Sequence, residues 1–256
     1  MNLLSYMGLL GGVLFALGLS GCASQSGQQA ATRTQASAKV HTELAGIYYE
    51  RTQLGVALEE LGKALQAEPN YAPAYNVRGL VNMALHEDRQ AEEDFKRSLQ
   101  LDSGNSDTHN NYGWFLCQRG KERDSIKHFM EALKNPLYAT PEKSYVNAGE
   151  CSKKGGNAKD AEEFLQKALI RRPNMPEALL GLADMSFTNG DYAGAKSYFM
   201  RFVQGSEPSS LTAENLWLAV RIERKLGDRN SEESYALQLR KRFPDSRETQ
   251  LILQGQ

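Results

Sequence analysis

Several features are scarce in this chain of 256 residues, and each scarcity excludes a class of protein. Acidic and basic side chains nearly cancel, 31 against 30, so the chain lacks the excess positive charge that nucleic-acid binding requires. With only 8 prolines the chain is not collagen-like, and 3 cysteines are too few for a disulfide framework. Hydrophobic residues make up 41% of the chain, which is enough to build a core, so we expect a globular fold.

Motifs of catalysis and cofactor binding are also missing. The sequence contains no G-x-S-x-G, H-E-x-x-H, C-x-x-C or G-x-G-x-x-G motif, and no glycine-rich loop is followed by the Lys-Ser/Thr pair of a phosphate site. We therefore expect no enzymatic activity, no metal, no cofactor and no small-molecule substrate.

Charged side chains are absent from residues 1–21, which carry instead an apolar run over residues 3–19. That length suits the apolar region of a signal peptide. The run ends at Leu19, Ser20, Gly21 and Cys22, which resembles a bacterial lipobox. The resemblance implies a signal peptide over residues 1–21, an acylated Cys22 and, because Ala23 follows it, passage to the outer membrane. A plain N-terminal anchor, or a signal cleaved by a different peptidase, is the alternative.

The segment after Cys22 is polar and built of small residues. Residues 24–37 read SQSGQQAATRTQAS and show no apolar periodicity. This composition predicts a flexible tether over residues 22–37, with a typical reach of about 20 Å. The folded domain is then expected to begin at residue 38.

A repeat of 34 to 36 residues fills the rest of the chain. Each unit has an apolar-periodic segment with a small residue, a short polar turn, and a second segment with apolar or small residues at spacings of four and three, as in Ala57, Leu61 and Ala64. One such hairpin buries too little apolar surface alone, so several must stack. The pattern resembles the tetratricopeptide repeat. It predicts an all-α, right-handed superhelix of about six hairpins over residues 38–256, with starts near residues 38, 72, 106, 142, 176 and 212.

The histidines and the remaining cysteines fit structural positions in these repeats. His41 and His109 share one repeat position, four residues before a small residue, where core packing is expected, and no two of the four histidines have metal-ligand spacing. Cys117 and Cys151 lie on first helices with no base marked near them. We expect both to be small buried residues, with a disulfide between them as the open alternative.

What remains for function is the concave groove that first helices line in stacked repeats. The repeat register directs nine principal side chains into it: Tyr49, Asn76, Leu80, Met83, Asn110, Trp114, Leu180, Phe187 and Val220. The same register adds Cys117, Val146, Glu150, Lys153, Asp184, Leu216 and Glu223. Methionine and aromatic side chains in a groove suit a peptide or helix. Packing between repeats is the alternative for several of them, Leu80 and Leu180 above all.

A lipobox, a short tether and six such repeats together resemble the PilF/PilW family of type IV pilus biogenesis lipoproteins, the pilotins. The most particular stretches are Asn110-Asn111-Tyr112-Gly113-Trp114 and the insertion around Pro136-Leu137-Tyr138. The resemblance implies a protein on the periplasmic face of the outer membrane, held by a lipid on Cys22, that assembles a PilQ-like pilus secretin and supports twitching motility. The alternative is an envelope scaffold for outer-membrane protein assembly, or an adaptor for a peptidoglycan protease.

Overall fold

The computed structural model describes residues 21–255, and within that range every regular element is helical. The expected all-α fold is confirmed. The chain divides into two compact units, residues 1–103 and 104–256. The predicted signal peptide, apart from Gly21, lies outside the described residues. None of the described helices has the length and hydropathy to cross a membrane.

Unit 1, residues 1–103, contains two helical hairpins. The helices are α1 (Gly21–Glu50), α2 (Leu54–Ala67), α3 (Ala72–Ala84) and α4 (Asp88–Leu101). α1 packs along α2, α3 packs along α4, and α3 also contacts α1 and α2. The hairpins therefore stack as consecutive repeats do.

Unit 2, residues 104–256, contains four more hairpins and a final short helix. Its helices are α5 (Ser106–Gln118), α6 (Glu122–Ala132), α7 (Pro141–Lys154), α8 (Ala158–Arg171), α9 (Pro176–Thr188), α10 (Tyr192–Gln204), α11 (Ala213–Leu226), α12 (Arg229–Arg242) and α13 (Arg247–Leu253), with a 3₁₀ turn at Pro208–Ser210. First helices α5, α7, α9 and α11 begin at residues 106, 141, 176 and 213. The repeat pattern predicted 106, 142, 176 and 212.

Hairpin turns recur at one repeat position that requires a left-handed backbone. Gly120, Gly156 and Gly190 have φ of +72°, +79° and +82°, and Thr52 and His86 take the same conformation at φ +59° and +61°. Glycine adopts this region without the steric cost that a Cβ imposes. The position explains His86, which forms a turn and is not part of a ligand set.

The first helix differs from the prediction for residues 22–37. These residues continue α1 without a break, where composition predicted a flexible tether. The segment is rich in alanine and glutamine, and no proline occurs before Pro69, so nothing in the sequence ends a helix there. Residues 32–36 are exposed, and burial begins at Ala38. The packed part of the domain thus begins at residue 38, although the helix does not.

Close approach of the two helices in a hairpin depends on a small residue facing a large one. A Cβ built on Gly79 would lie 2.8 Å from the ring of Phe95, and one built on Gly113 would lie 2.8 Å from Phe129. Leu165 fills the corresponding space at Gly149 and also contacts the next hairpin at Gly181. The large side chains of α4, α6 and α8 therefore set the helix spacing within each hairpin, and Leu165 also joins two hairpins.

Cys117 of α5 and Cys151 of α7 form a disulfide between the third and fourth hairpins. Their Cα atoms are 5.8 Å apart, a usual separation for such a bridge. Both are fully buried beside Phe129 and Ala148. Burial agrees with the sequence analysis, but the preferred reading of two separate thiols was wrong. They lie 34 residues apart, near the ends of the adjacent first helices α5 and α7.

Candidate functional site

A cavity of about 510 Å³ lies in unit 2 among the first helices α5, α7, α9 and α11. Its lining residues are Trp114, Val146, Asn147, Glu150, Lys153, Glu177, Leu180, Gly181, Asp184, Glu214, Asn215, Trp217, Leu218 and Arg221. We call this the unit 2 cavity. Its volume falls in the range of roughly 300–1,000 Å³ that is common for binding sites.

Two tryptophans and three aliphatic side chains form the apolar part of the lining. Trp114 packs against the cluster that holds the Cys117–Cys151 disulfide, so its indole rests on covalently fixed helices. Leu180 and Trp217 pack against the core cluster of the last two hairpins. These side chains are therefore supported from behind and present a rigid apolar surface to the cavity.

Asp184 holds both cations of the cavity. The Lys153 ammonium donates a hydrogen bond to Asp184 Oδ2 at 2.6 Å, and Arg221 Nη2 lies 3.6 Å from Asp184 Oδ1. The Arg221 guanidinium also stacks over the ring of Phe187, 4.4 Å from its centroid. These contacts link α7, α9 and α11 and give each cation an acidic partner.

Glu150 lies deeper in the cavity than the other carboxylates. A Cβ on Gly181 would sit 3.0 Å from Glu150 Oε1, so the carboxylate packs directly over the backbone of α9. Burial raises the pKa of Glu150, and the negative charge of Asp184 adds to this, while Lys153 opposes it. Among residues 21–255, no hydrogen-bond donor or ion-pair partner reaches this carboxylate.

The groove residues predicted for unit 2 lie in different environments in the structure. Trp114 and Leu180 line the cavity, and Phe187 supports it through Arg221. Asn110 is buried, and its Oδ1 accepts hydrogen bonds from Ser144 and Asn147, which ties α5 to α7. Asn110 is thus a structural bridge and not an open groove residue.

Val220 is fully buried, so its assignment to the groove was wrong. Leu216 is also fully buried. The side chains that line the cavity from α11 are one residue later, Trp217 and Arg221. α11 begins at Ala213, where the pattern predicted a start near 212. One residue corresponds to about 100° of helix rotation, so this shift in register replaces cavity residues by core residues.

Tyr49, Asn76, Leu80 and Met83 belong to unit 1. Tyr49 packs partly against the core cluster of the first two hairpins, and burial raises the pKa of its hydroxyl. Asn76 is buried, whereas Leu80 and Met83 are partly exposed. Leu80 and Met83 are therefore the accessible members of this set, and none of the four lines the unit 2 cavity.

His41 and His109 form equivalent polar pairs across their hairpins. His41 Nδ1 lies 2.6 Å from Glu60 Oε2, and His109 Nδ1 lies 2.9 Å from His128 Nδ1, each partner being 19 residues further on. Hydrogen bonding replaces the expected apolar packing, because each histidine is only partly buried. In the described part of the chain, no group of three or more His, Cys, Asp or Glu is arranged to hold a metal.

The His109–His128 pair predicts a loss of stability on acidification. Burial lowers the pKa of His128 from its ordinary value of 6.5, and the neighbouring His109 lowers it further. The unfolded chain then binds a proton at a higher pH than the fold does, so stability falls as pH decreases through about 6.5. Urea unfolding from pH 8 to pH 5 measures this, with His128→Gln expected to flatten the profile. An unchanged slope in that variant would contradict the prediction.

The hairpins and their cavity define a tetratricopeptide-repeat protein, and residues 153–208 match the family model described as "Tetratricopeptide repeat". The type IV pilus assembly protein PilF of Pseudomonas aeruginosa is 30% identical over 241 residues, which cover 93% of this chain and 94% of PilF. This chain therefore belongs to the PilF/PilW family of type IV pilus biogenesis proteins.

Solved structures agree with that assignment. PilW, a widely conserved type IV pilus biogenesis factor, superposes with a TM-score of 0.76 at 31% identity, over 84% of this chain and 98% of PilW. The structure of Pseudomonas aeruginosa PilF gives a TM-score of 0.79 at 28% identity, over 87% of this chain and 99% of PilF. The family and its fold, as expected from the sequence, are confirmed.

Proposed function

We propose that this protein is a pilotin, a lipoprotein that promotes outer-membrane localisation and multimerisation of a PilQ-like type IV pilus secretin. The observation that carries the proposal is the full-length relationship to PilF, a type IV pilus assembly protein. The relationship covers 93% of this chain and 94% of PilF, so it supports a role for the protein as a whole. Twitching motility is the activity expected to depend on it.

Membrane anchoring and secretin binding are assigned to different parts of the chain. Cys22 carries the lipid and holds the protein at the periplasmic face of the outer membrane. Several acyl chains give stable anchoring, in contrast to the reversible binding of a single chain. The repeats bind the secretin, and the unit 2 cavity offers the rigid apolar walls and polar rim that suit a segment of another protein. The protein acts by binding and needs no cofactor beyond its lipid.

The test uses a deletion strain complemented with the wild type, Cys22→Ala, or the control Ser24→Ala. Outer-membrane fractions are probed for detergent-resistant secretin multimers, and twitching is scored in parallel. We expect multimers to vanish in the deletion, to return with the wild type and Ser24→Ala, and to be lost or mislocalised with Cys22→Ala. Normal multimers in the deletion strain overturn the proposal and favour a scaffold for other envelope proteins.

A further inference from the structure

Unpaired acidic groups and indole rings share the walls of the unit 2 cavity. Four carboxylates line it, Glu150, Glu177, Asp184 and Glu214, against the two cations Lys153 and Arg221. Asp184 is paired with both cations. The other three carboxylates belong to Glu150 on α7, Glu177 on α9 and Glu214 on α11. No ion pair to any of these three exists among residues 21–255. The cavity therefore has a negative charge that the protein leaves uncompensated.

The cations of the cavity argue against an acidic ligand. A peptide carboxylate would have to share Lys153 or Arg221 with Asp184, whose Oδ2 already lies 2.6 Å from the Lys153 ammonium. The Nε atom of Arg221 is buried without a hydrogen-bond partner among the described residues. Charge complementarity favours a cationic partner, because like charges brought together at an interface are costly.

We propose that the unit 2 cavity binds a partner segment in which a lysine or arginine lies next to large apolar side chains, the cation pairing with Glu150 and the apolar groups packing on Trp114 and Trp217. Glu150 is suited to the pairing because it lies against the backbone of Gly181 and, among the described residues, forms no ion pair of its own, since Lys153 pairs with Asp184. An ion pair formed there is screened less by water than one on an open surface. Glu177 and Glu214 at the first turns of α9 and α11 extend the acidic wall.

This inference rests on the proposed function, in that it describes the segment by which the secretin is held. Its chemistry is nevertheless independent of the secretin's identity. The chain has only two tryptophans, Trp114 and Trp217, and both line the cavity. Intrinsic tryptophan fluorescence is therefore a reporter of cavity occupancy that requires no label.

The experiment titrates the protein without its signal peptide, residues 22–256, with three peptides that differ only in charge. The probes are acetyl-Leu-Lys-Leu-Lys-Leu-amide and the same sequence with glutamine or with glutamate in place of lysine. Acetylated and amidated ends remove the terminal charges. We expect the lysine peptide to change the tryptophan emission with a Kd at least tenfold lower than that of the glutamine peptide, and the glutamate peptide to bind weakest.

Two variants identify the carboxylate. Glu150→Gln keeps the shape of the side chain and removes its charge, and it should abolish most of the tenfold preference for lysine. Glu163→Gln is the matched control, because Glu163 lies on α8 and is paired with Lys167 outside the cavity. Glu177→Gln provides a second acidic-wall variant at an exposed position, with a smaller expected loss. Equal binding of the three peptides, or an unchanged preference in Glu150→Gln, overturns the inference.

Complementation with Glu150→Gln separates this inference from the proposed function. One outcome is that multimers are lost in the deletion strain but form normally with Glu150→Gln. The pilotin proposal then stands, and the use of this cavity for the secretin is overturned. Multimers that form without the protein overturn the pilotin proposal. In that second case, charge-selective peptide binding would still assign the cavity a cationic and apolar partner from another envelope protein.

Discussion

Replacing both Cys117 and Cys151 with alanine is expected to lower the free energy of unfolding by about 3–4 kcal/mol. The bridge closes a loop with a sequence separation of 34 residues, and the chain-entropy estimate for such a loop falls in that range. In a repeat protein, stability comes from each hairpin and its contacts with its neighbours. A covalent bond between the third and fourth hairpins therefore stabilises the first two hairpins of unit 2 against separation.

Guanidinium unfolding followed by circular dichroism measures this effect. Dithiothreitol provides the control, because it should destabilise the wild type by a similar amount and leave the double variant unchanged. Transitions that overlay for the wild type, with and without reductant, would show that the bridge does not contribute. The variant should also weaken the support of Trp114, which packs against this cluster, and red-shift its emission.

Alanine substitutions at two helical glycines of unit 1 are expected to change stability in opposite directions. At Gly79 the new Cβ would meet the Phe95 ring at 2.8 Å, and that ring is fully buried, so the helices must separate. Overpacking of this kind costs about 1–3 kcal/mol. At Gly62 of α2 there is nothing within 4 Å of the new Cβ, so Gly62→Ala should stabilise by about 0.4–1 kcal/mol.

The two glycine variants control for each other, since both change glycine to alanine within a helix. Thermal and urea unfolding of each gives the sign directly. If Gly79→Ala were as stable as the wild type, Phe95 would not set the spacing between α3 and α4. If Gly62→Ala were destabilising, the position would have a packing role that the structure does not show.

The fold could be predicted because the signal repeats along the chain. Small residues such as Gly79 and Gly113, opposite Phe95 and Phe129, recur in every hairpin at nearly constant spacing, and each repetition confirms the register of the others. The starts of helices α3, α5 and α9 coincide with the predicted residues for this reason. Family membership followed from the same regularity together with the N-terminal motif.

The site was predicted only in part, because it depends on features that do not repeat. The segment before α11 contains a 3₁₀ turn, and the repeat register after it shifts by one residue. For this reason Trp217 and Arg221 line the cavity where Val220 was predicted. Spacing could not show that the amide of Asn110 is used to join α5 and α7. The disulfide was left open because repeat spacing alone does not show how closely α5 and α7 approach at the level of Cys117 and Cys151.

The continuation of α1 through residues 22–37 has a geometric consequence for a protein anchored at Cys22. Sixteen helical residues extend about 24 Å along one line, a distance similar to the average reach of a coil of that length. A coil leaves the distance between Cys22 and the first hairpin variable up to its contour length, whereas a continuous helix fixes that distance. The repeats would then bind an incoming subunit at a defined distance from the lipid on Cys22.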